Sequence, residues 1–476
     1  MKGKKLGTWA ASLVCINSVV GIGIFFKNAS IFNNNGHNGF GVLITWAFAA
    51  IIILFTALSV ANIAMLKQKE GKFVGWAGWG NTLLGSKMAK FISFYNGVVY
   101  YPFITLIVSV FCISAAFQIF GLGPDKIHFG YVCLIAIAFC AICIFCDYVK
   151  KTSLVTAAKW LGYVSYLPLV LCLISMIIAF SNGTAKNLFE PKNMEPSSAN
   201  INFEGIMASL PGALFAFNGF LCVGDIKNSI DNPEKKTPII VIVSVSLISV
   251  IYVGCSLFLI FNGNAGGNVL DIFGNTGKPY MAAILFLLTV GSVCSLQGCG
   301  DVNYETIVET DIICCSNAIK KINAKKENLG TFVLAESILI LHSIVLIIPA
   351  AILGTDDVVD IASNFVVFFN YILLSVLIIA LVYKNFSKKY DIKIKPFVAA
   401  CAIFASLFLL FSTSYLAIYV PLSDIIIRPN EINDGNGVFF SPHHLTYLVA
   451  DIVLLLSTLY TPVLYVINEL IEKNKK

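Results

Sequence analysis

An all-α integral membrane protein with about twelve spans is the fold class this sequence predicts, and three observations predict it. The 476-residue chain is 58% hydrophobic and 12% charged, with a mean hydropathy of +0.84, where a soluble chain carries about 25% charged residues. Cutting it at its polar breaks leaves about twelve apolar segments, most of them reaching the roughly 20 residues that cross a hydrocarbon core. Basic residues also divide unequally between alternate loops. With the N-terminus inside, 25 of the 32 lie on the inner side and 6 outside, and Lys159 falls within a span. The positive-inside rule reads that split as two cytoplasmic termini. The +6 net charge therefore reports topology, not an affinity for nucleic acid.

In order, the segments run approximately 8–27, 40–66, 90–120, 129–147, 152–181, 205–228, 238–262, 280–305, 330–353, 361–383, 396–421 and 444–467. The longer ones tilt or project beyond the core. The first contains Val19-Val20-Gly21-Ile22-Gly23-Ile24-Phe25. Each glycine costs about 1 kcal/mol relative to alanine in a helix interior. Each also lets the backbone leave helical geometry and frees amide and carbonyl groups. Backbone left unpaired at membrane depth persists only where it is buried in protein or lines a watery cavity. The positive end of a half-helix facing such a break attracts a carboxylate. Close helix packing is the plainer explanation of the same glycines.

The first five segments form one block, about 8–181, followed by a polar loop from Asn182 to Glu204. The next five form a second block, about 205–383, and 396–467 supplies two accessory spans, all within one transmembrane domain over 1–476. Five is odd, so the second block starts from the opposite face of the membrane, which is the arithmetic of an inverted repeat. The repeat predicts that the sixth span is interrupted like the first. That span carries Pro211, Gly212 and Phe215-Ala216-Phe217-Asn218-Gly219-Phe220 where a plain span would carry Leu and Ile. Interrupted segments at matching positions in two halves point to a transporter binding site.

Several ionisable residues fall inside spans. Lys159 lies eight residues past Lys151, about 12 Å into the fifth span at 1.5 Å per residue. An intramembrane charge carries a functional expectation, against the alternative of snorkelling to the inner surface. Asp225, in the inner half of the sixth span, lines the inner exit or pairs with Lys227 or a loop base, pairing being the simpler reading. Tyr100 and Tyr101 ahead of Pro102 form an aromatic gate or, more plainly, pack. The fourteen cysteines lie mostly inside apolar spans and form no secreted disulfide framework. Cys140, Cys143 and Cys146 read as small packing residues rather than a metal site. His443 and His444 are adjacent and do not face one another on a helix. No H-E-x-x-H, Walker loop or G-x-S-x-G occurs, so no catalytic residue, metal or cofactor is expected. The first segment runs into Lys27 and Asn28 without a cleavage pattern.

Gly21-Ile22-Gly23-Ile24-Phe25 resembles the G-x-G-I-F signature of the amino acid–polyamine–organocation (APC) permease superfamily. Phe215–Phe220, followed thirteen residues after Gly219 by Asn232-Pro233-Glu234-Lys235-Lys236-Thr237-Pro238, resembles that superfamily's F-x-G-F and N-P-x-(K/R)-x-x-P pattern. With about twelve spans and inner termini, the resemblance covers essentially the whole chain. It implies a five-plus-five core of the leucine-transporter type, with an amino acid held between the two broken helices. The carboxylate of that substrate would meet amides of Ile22, Gly23 and Ile24. Its ammonium would meet carbonyls near Val19 and Val20 and at Phe215, Ala216 and Asn218, with Gly21, Phe217 and Gly219 completing the two motifs and Ser18 adding a hydroxyl. Lys159 looks like the fifth-span lysine that, in some members, replaces the cation of sodium-coupled relatives, here with Ser292 and Ser295 as neighbours. That would make the proton the coupling ion.

Three positions depart from the pattern: Leu221 where many relatives are acidic, Asn228 and Ser229 where a carboxylate pair is frequent, and Gly298–Glu305 without the usual arginine. The expected function is a secondary transporter, embedded in the lipid bilayer, that takes amino acids into the cell by alternating access with protons. An exchanger of the same fold is the alternative. A membrane enzyme acting on lipid would need an acid–base cluster the chain lacks, and a nutrient receptor would need a soluble domain no loop is long enough to form. The small residues Ala213, Ala216 and Gly219 point to a pocket with room beside the backbone, and the absence of an acid at Leu221 argues against strongly cationic substrates.

Overall fold

The computed structural model describes residues 5–20, 23–66, 73, 75–151, 153–164, isolated positions from 167 to 183, 203–261, 274–387, 393–432, 440 and 445–474. The described residues form helices, joined only by two isolated bridges, Leu6 with Ile230 and Ile432 with Thr446. The first span is two half-helices, α1 (Thr8–Val19) and α2 (Gly23–Asn34). Next comes α3 (Gly39–Met65), started by Asn38, whose Oδ1 accepts from the Gly41 amide at 2.9 Å and so satisfies an orphan donor of the first turn. A short helix, α4 (Gly75–Leu83), precedes α5 (Ser86–Ile119) and α6 (Phe129–Val149). The fifth span begins as α7 (Ser153–Leu161), and most of its remainder lies outside the described residues.

The sixth span is again divided, into α8 (Phe203–Ala216) and α9 (Cys222–Asp225). Then follow α10 (Pro233–Phe261), α11 (Gly274–Glu309), the short α12 (Ser316–Lys325), α13 (Leu329–Leu353) and α14 (Asp357–Phe386). The chain closes with α15 (Pro396–Ser414), α16 (Val420–Ile427) and α17 (Tyr447–Asn474). Among the described residues nine helices are long and apolar enough to cross a membrane, and the shorter apolar α1 and α8 are the halves of broken spans. Two helices, α4 and α12, lie between the apolar segments and were not visible in hydropathy.

Wide turns of π geometry interrupt three spans, at Tyr95–Tyr100, Ser343–Ile347 and Tyr415–Tyr419. Each ends one or two residues before a proline, Pro102, Pro349 or Pro421. Proline has no amide hydrogen and its ring crowds the preceding turn, so one extra residue in that turn accommodates it.

The broken first span is the centre of the molecule. Every residue from Ala11 to Val20 is buried, because α1 touches α10, α11 and α7 together. Around it α11 packs on α5, α10 on α3, and α14 on α15 and α17. Exposed apolar side chains such as Ile142, Ile352 and Leu456 clothe the outward faces of α6, α13 and α17, as a lipid-facing surface requires.

Candidate functional site

The two breaks define the site. Helix α1 stops at Val19, and the amide of Val20 still donates to Ile16 O at 2.7 Å. Gly21 and Ile22 lie outside the described residues, and the helix resumes as α2 at Gly23. On the other side α8 stops at Ala216, and the chain turns through Phe217–Leu221 before α9. Gly219 has φ +112°, a conformation that glycine alone adopts without strain. The sixth span is therefore interrupted at Asn218, as its composition predicts.

Glycine brings the breaks into backbone contact. A Cβ built on Gly219 would lie 2.4 Å from Ser18 O, and one on Gly23 would lie 2.3 Å from Ala216 Cα. Farther along the same pair of helices, a Cβ on Gly205 would lie 2.1 Å from Asn34 O. Close packing and helix opening are thus both served: Gly23 and Gly205 seat α2 on α8, and Gly219 turns the chain. Tyr252 of α10 ties the two breaks, its hydroxyl 2.9 Å from Val19 O and 2.7 Å from Ala216 O. A phenol has one proton, so it serves one carbonyl at a time. Both are carbonyls expected to meet an ammonium, and each keeps a lone pair free. Phe217 turns away from the site. It is buried with its ring 4.9 Å from Tyr252 and 6.4 Å from Trp46, where it packs and cannot line a binding cavity.

Between the breaks lies a cavity of about 30 Å³, more than the roughly 10–15 Å³ on this measure that one water needs. Ser18, Val19, Gly23, Phe215, Ala216 and Asn218 line one side. The opposite wall comes from Tyr100, Ile104 and Val108 of α5 and from Ser292 and Leu296 of α11. Sequence reading had placed Tyr100 in ordinary packing; the wide turn ahead of Pro102 swings it into the wall. Every one of these side chains is uncharged. Asn218 Oδ1 accepts from the Gly219 amide at 3.0 Å and from Asn370 Nδ2 at 2.8 Å. Its own Nδ2 is buried with no partner among the described residues.

The seam between α1, α7 and α11 holds neutral groups. Ser295 Oγ is 2.5 Å from Ser18 Oγ and 2.9 Å from Val14 O, and Ser292 Oγ donates to Asn17 O at 2.6 Å. Asn17 Nδ2 reaches α7 at Ala158 O, 2.5 Å away. Lys159 was expected beside these serines, and the structure corrects that. Ala158 is the residue facing α1, so Lys159, one position on, points about 100° away. Its ammonium stands 5.3 Å from the ring of Trp160, itself 64% exposed.

Charge flanks the cavity instead. Lys27, counted as a loop residue by hydropathy, is buried on α2, its Nζ 2.7 Å from Asp360 Oδ1 and 3.3 Å from Asn364 Oδ1 of α14. It also sits 5.1 Å from the centroid of Phe215, so the pair stands beside that wall. Beside the other wall Asp225 accepts from the Tyr101 hydroxyl, and the expected pairing with Lys227 is replaced by this one.

The family described as amino acid permease matches residues 6–430. The serine/threonine exchanger SteT of Bacillus subtilis is 22% identical over 426 residues, covering 86% of this chain and 91% of that protein. An uncharacterized protein of Mycoplasma pneumoniae is 21% identical over 334 residues, 62% of this chain and 58% of its own length. Cationic amino acid transporter 4 of Homo sapiens is 23% identical over 318 residues, 61% of this chain and 46% of its own.

Proposed function

The chain belongs to the amino acid permease family and is a secondary amino acid transporter, and from that premise we propose that it carries small neutral amino acids, taking them up with protons. One observation carries the substrate class: every side chain lining the cavity between the breaks is uncharged. A cationic side chain buried there would lack a counter-ion, which is costly. A zwitterion is served by the backbone. The first turn of α2, at Gly23 and Ile24, offers the positive end of a half-helix to a carboxylate. The carbonyl ends of α1 and α8, at Val19 and Ala216, offer acceptors to an ammonium. Ser18, Ser292 and Asn218 Nδ2 are the polar groups left for a short side chain.

In this reading transport proceeds by alternating access, the half-helices parting from the cavity walls first at one end and then at the other. In this reading residues 8–181 and 205–383 are the inverted halves, and both termini lie in the cytoplasm. The 25-to-6 division of basic residues supports that orientation, in the cell membrane. Exchange without protons is the second reading, favoured by the likeness to a protein named as a serine/threonine exchanger.

The test uses purified protein in liposomes and a panel of labelled amino acids, each run with an inward proton gradient, with a protonophore, and with substrate preloaded inside. Accumulation of serine-sized neutral substrates, abolished by the protonophore, is the expected result. Uptake only into preloaded vesicles supports exchange. Preferential uptake of lysine or arginine overturns the substrate class.

A further inference from the structure

Several buried acids lie outside the cavity walls, and Asp225 is the one on the inner piece of the broken sixth span. Asp225 closes α9, the four-residue inner piece of the sixth span, and is 5% exposed. Groups from α5, α11, α4 and α9 itself face it. From α5, Tyr101 donates its hydroxyl to Asp225 Oδ2, with Tyr100 beside it at 4.8 Å between ring centroids. From α11, the Asn303 side chain hydrogen-bonds the same carboxyl and the Cys299 thiol faces it one turn earlier. From α4, the first residue, Gly75, lies so close that a Cβ there would be 2.8 Å from Asp225 Oδ1. Cys222 of α9 itself completes the surround, and Cys15 of α1 reaches Cys222. No lysine, arginine or histidine is among these described groups, and the charge that Lys227 interacts with is Glu234.

An ionised carboxylate so placed has hydrogen bonds and the positive start of α4 in its favour, and burial without a cation against it. Both protonation forms are therefore within reach. The position gives the choice a consequence. α9 is held between the turn at Phe217–Leu221 and the short 3₁₀ turn Lys227–Ser229, whereas α5 and α11 are long helices packed along one another. The short piece packs on α11, α4, α1 and α10, and the carboxylate adds its tie to α5 through Tyr101.

We propose that Asp225 is the proton-binding residue of this transporter, and that its protonation releases α9 from α5 and opens the cavity on that side. Adding a proton removes the charge and turns one acceptor oxygen into a donor, which weakens the bonds from Tyr101 and Asn303. A proton that arrives with the substrate then favours opening on the far side. By linkage the substrate raises proton affinity by the same factor. This rests on the transport reading above and names its coupling residue.

The experiment compares the full-length protein with Asp225→Asn, Asp225→Glu and Tyr101→Phe in liposomes loaded with a pH-sensitive dye and labelled serine as the probe. Two quantities are read: counterflow of serine against preloaded serine, and serine-linked acidification of the lumen. Wild type is expected to show both. Asp225→Asn should retain counterflow, lose acidification to the level of empty liposomes, and show a flat pH profile. Asp225→Glu should restore acidification with a displaced profile, and Tyr101→Phe should displace the profile without abolishing counterflow. Asp301 of α11, which accepts from Gln297 Nε2 at 3.0 Å, is the control: Asp301→Asn should leave the profile in place. Acidification by Asp225→Asn equal to wild type, or a profile that moves with Asp301→Asn instead, overturns the assignment while the transport reading stands. Should Asp225→Asn fail to fold, an unmoved profile in both Asp225→Glu and Tyr101→Phe overturns it equally. Absence of counterflow in folded wild-type protein overturns the transport reading itself, and the assignment with it.

Discussion

Tyr252 does at one atom what neither broken helix can do for itself, since a helix end leaves its last carbonyls without donors. Removing the hydroxyl in Tyr252→Phe leaves Val19 O and Ala216 O competing for no partner, at a cost of roughly 1–3 kcal/mol. The expected outcome is a lower Tm in detergent together with slower counterflow; an unchanged Tm would show that the carbonyls are satisfied otherwise. Position alone could not single out this tyrosine among eighteen, because its partners lie 233 and 36 residues away. The opposite holds for Ser18, Ala216 and Asn218, whose place beside or within the breaks follows from the interruptions themselves. Charge was the least legible property. Lys27 looked like a loop residue and is buried, while Lys159 looked like a buried ligand and is half-exposed, since a helix turns 100° between neighbours. Acids likewise part company by surroundings. Asp231, with Lys236 at 2.6 Å, has its carboxyl held below the usual range by that hydrogen bond. Its contribution is present above about pH 4 and is lost as pH falls through the lower folded value, so Asp231→Asn should leave the transport profile between neutral and mildly acid pH unmoved.

Among the elements, α2 and α8 make the clearest prediction because their contact is made of glycine. A methyl on Gly23 or Gly205 meets backbone atoms at 2.3 and 2.1 Å, whereas one on Gly212, in the same helix as Gly205, meets nothing nearer than 3.8 Å. Overpacking of this kind costs about 1–3 kcal/mol or more. Gly23→Ala and Gly205→Ala should therefore lower Tm and uptake, and Gly212→Ala should change neither; equal effects at all three positions would refute backbone contact as the cause. The wide turn of α5 gives a second prediction. With Pro102→Ala a regular helix becomes available, and loss of the extra residue rotates Tyr100 by about 100° away from the cavity. Uptake should fall with Tm maintained or raised. Spans as elements were legible throughout: the fourth, expected at 129–147, is Phe129–Val149. Legibility failed at α4, a short glycine- and tryptophan-rich helix, at α12, whose polar, amphipathic residues carry no hydropathy signal, and at the wide turns, whose cue is the proline that follows them.

Across the whole molecule, two charged pairs flank the cavity, Lys27 with Asp360 beside Phe215 of one wall and Asp225 with Tyr101, the neighbour of Tyr100 in the other. The first pair is a buried ion pair, with side chains 4% and 5% exposed. Removing one partner strands the other charge, at about 3–5 kcal/mol. Lys27→Met should therefore reduce Tm and uptake sharply, and the double change Lys27→Met with Asp360→Leu should recover much of the Tm but not the gating. A double variant as unstable as the single one would mean that the two charges do not act as a pair.

What the sequence determined by itself was local or summed along the chain. Hydropathy over about twenty residues specifies a span, the sign of loop charge specifies a side, and glycine, proline and asparagine inside a span specify a break, because each acts on the backbone of its own neighbourhood. What only the tertiary structure decided was which faces meet: Gly219 against Ser18, Tyr252 across both breaks, Lys27 on Asp360 at a separation of 333 residues, and Asp225 on Tyr101 rather than Lys227. Those contacts depend on the rotation of each helix about its axis, and that rotation is set by how the helices pack around α1.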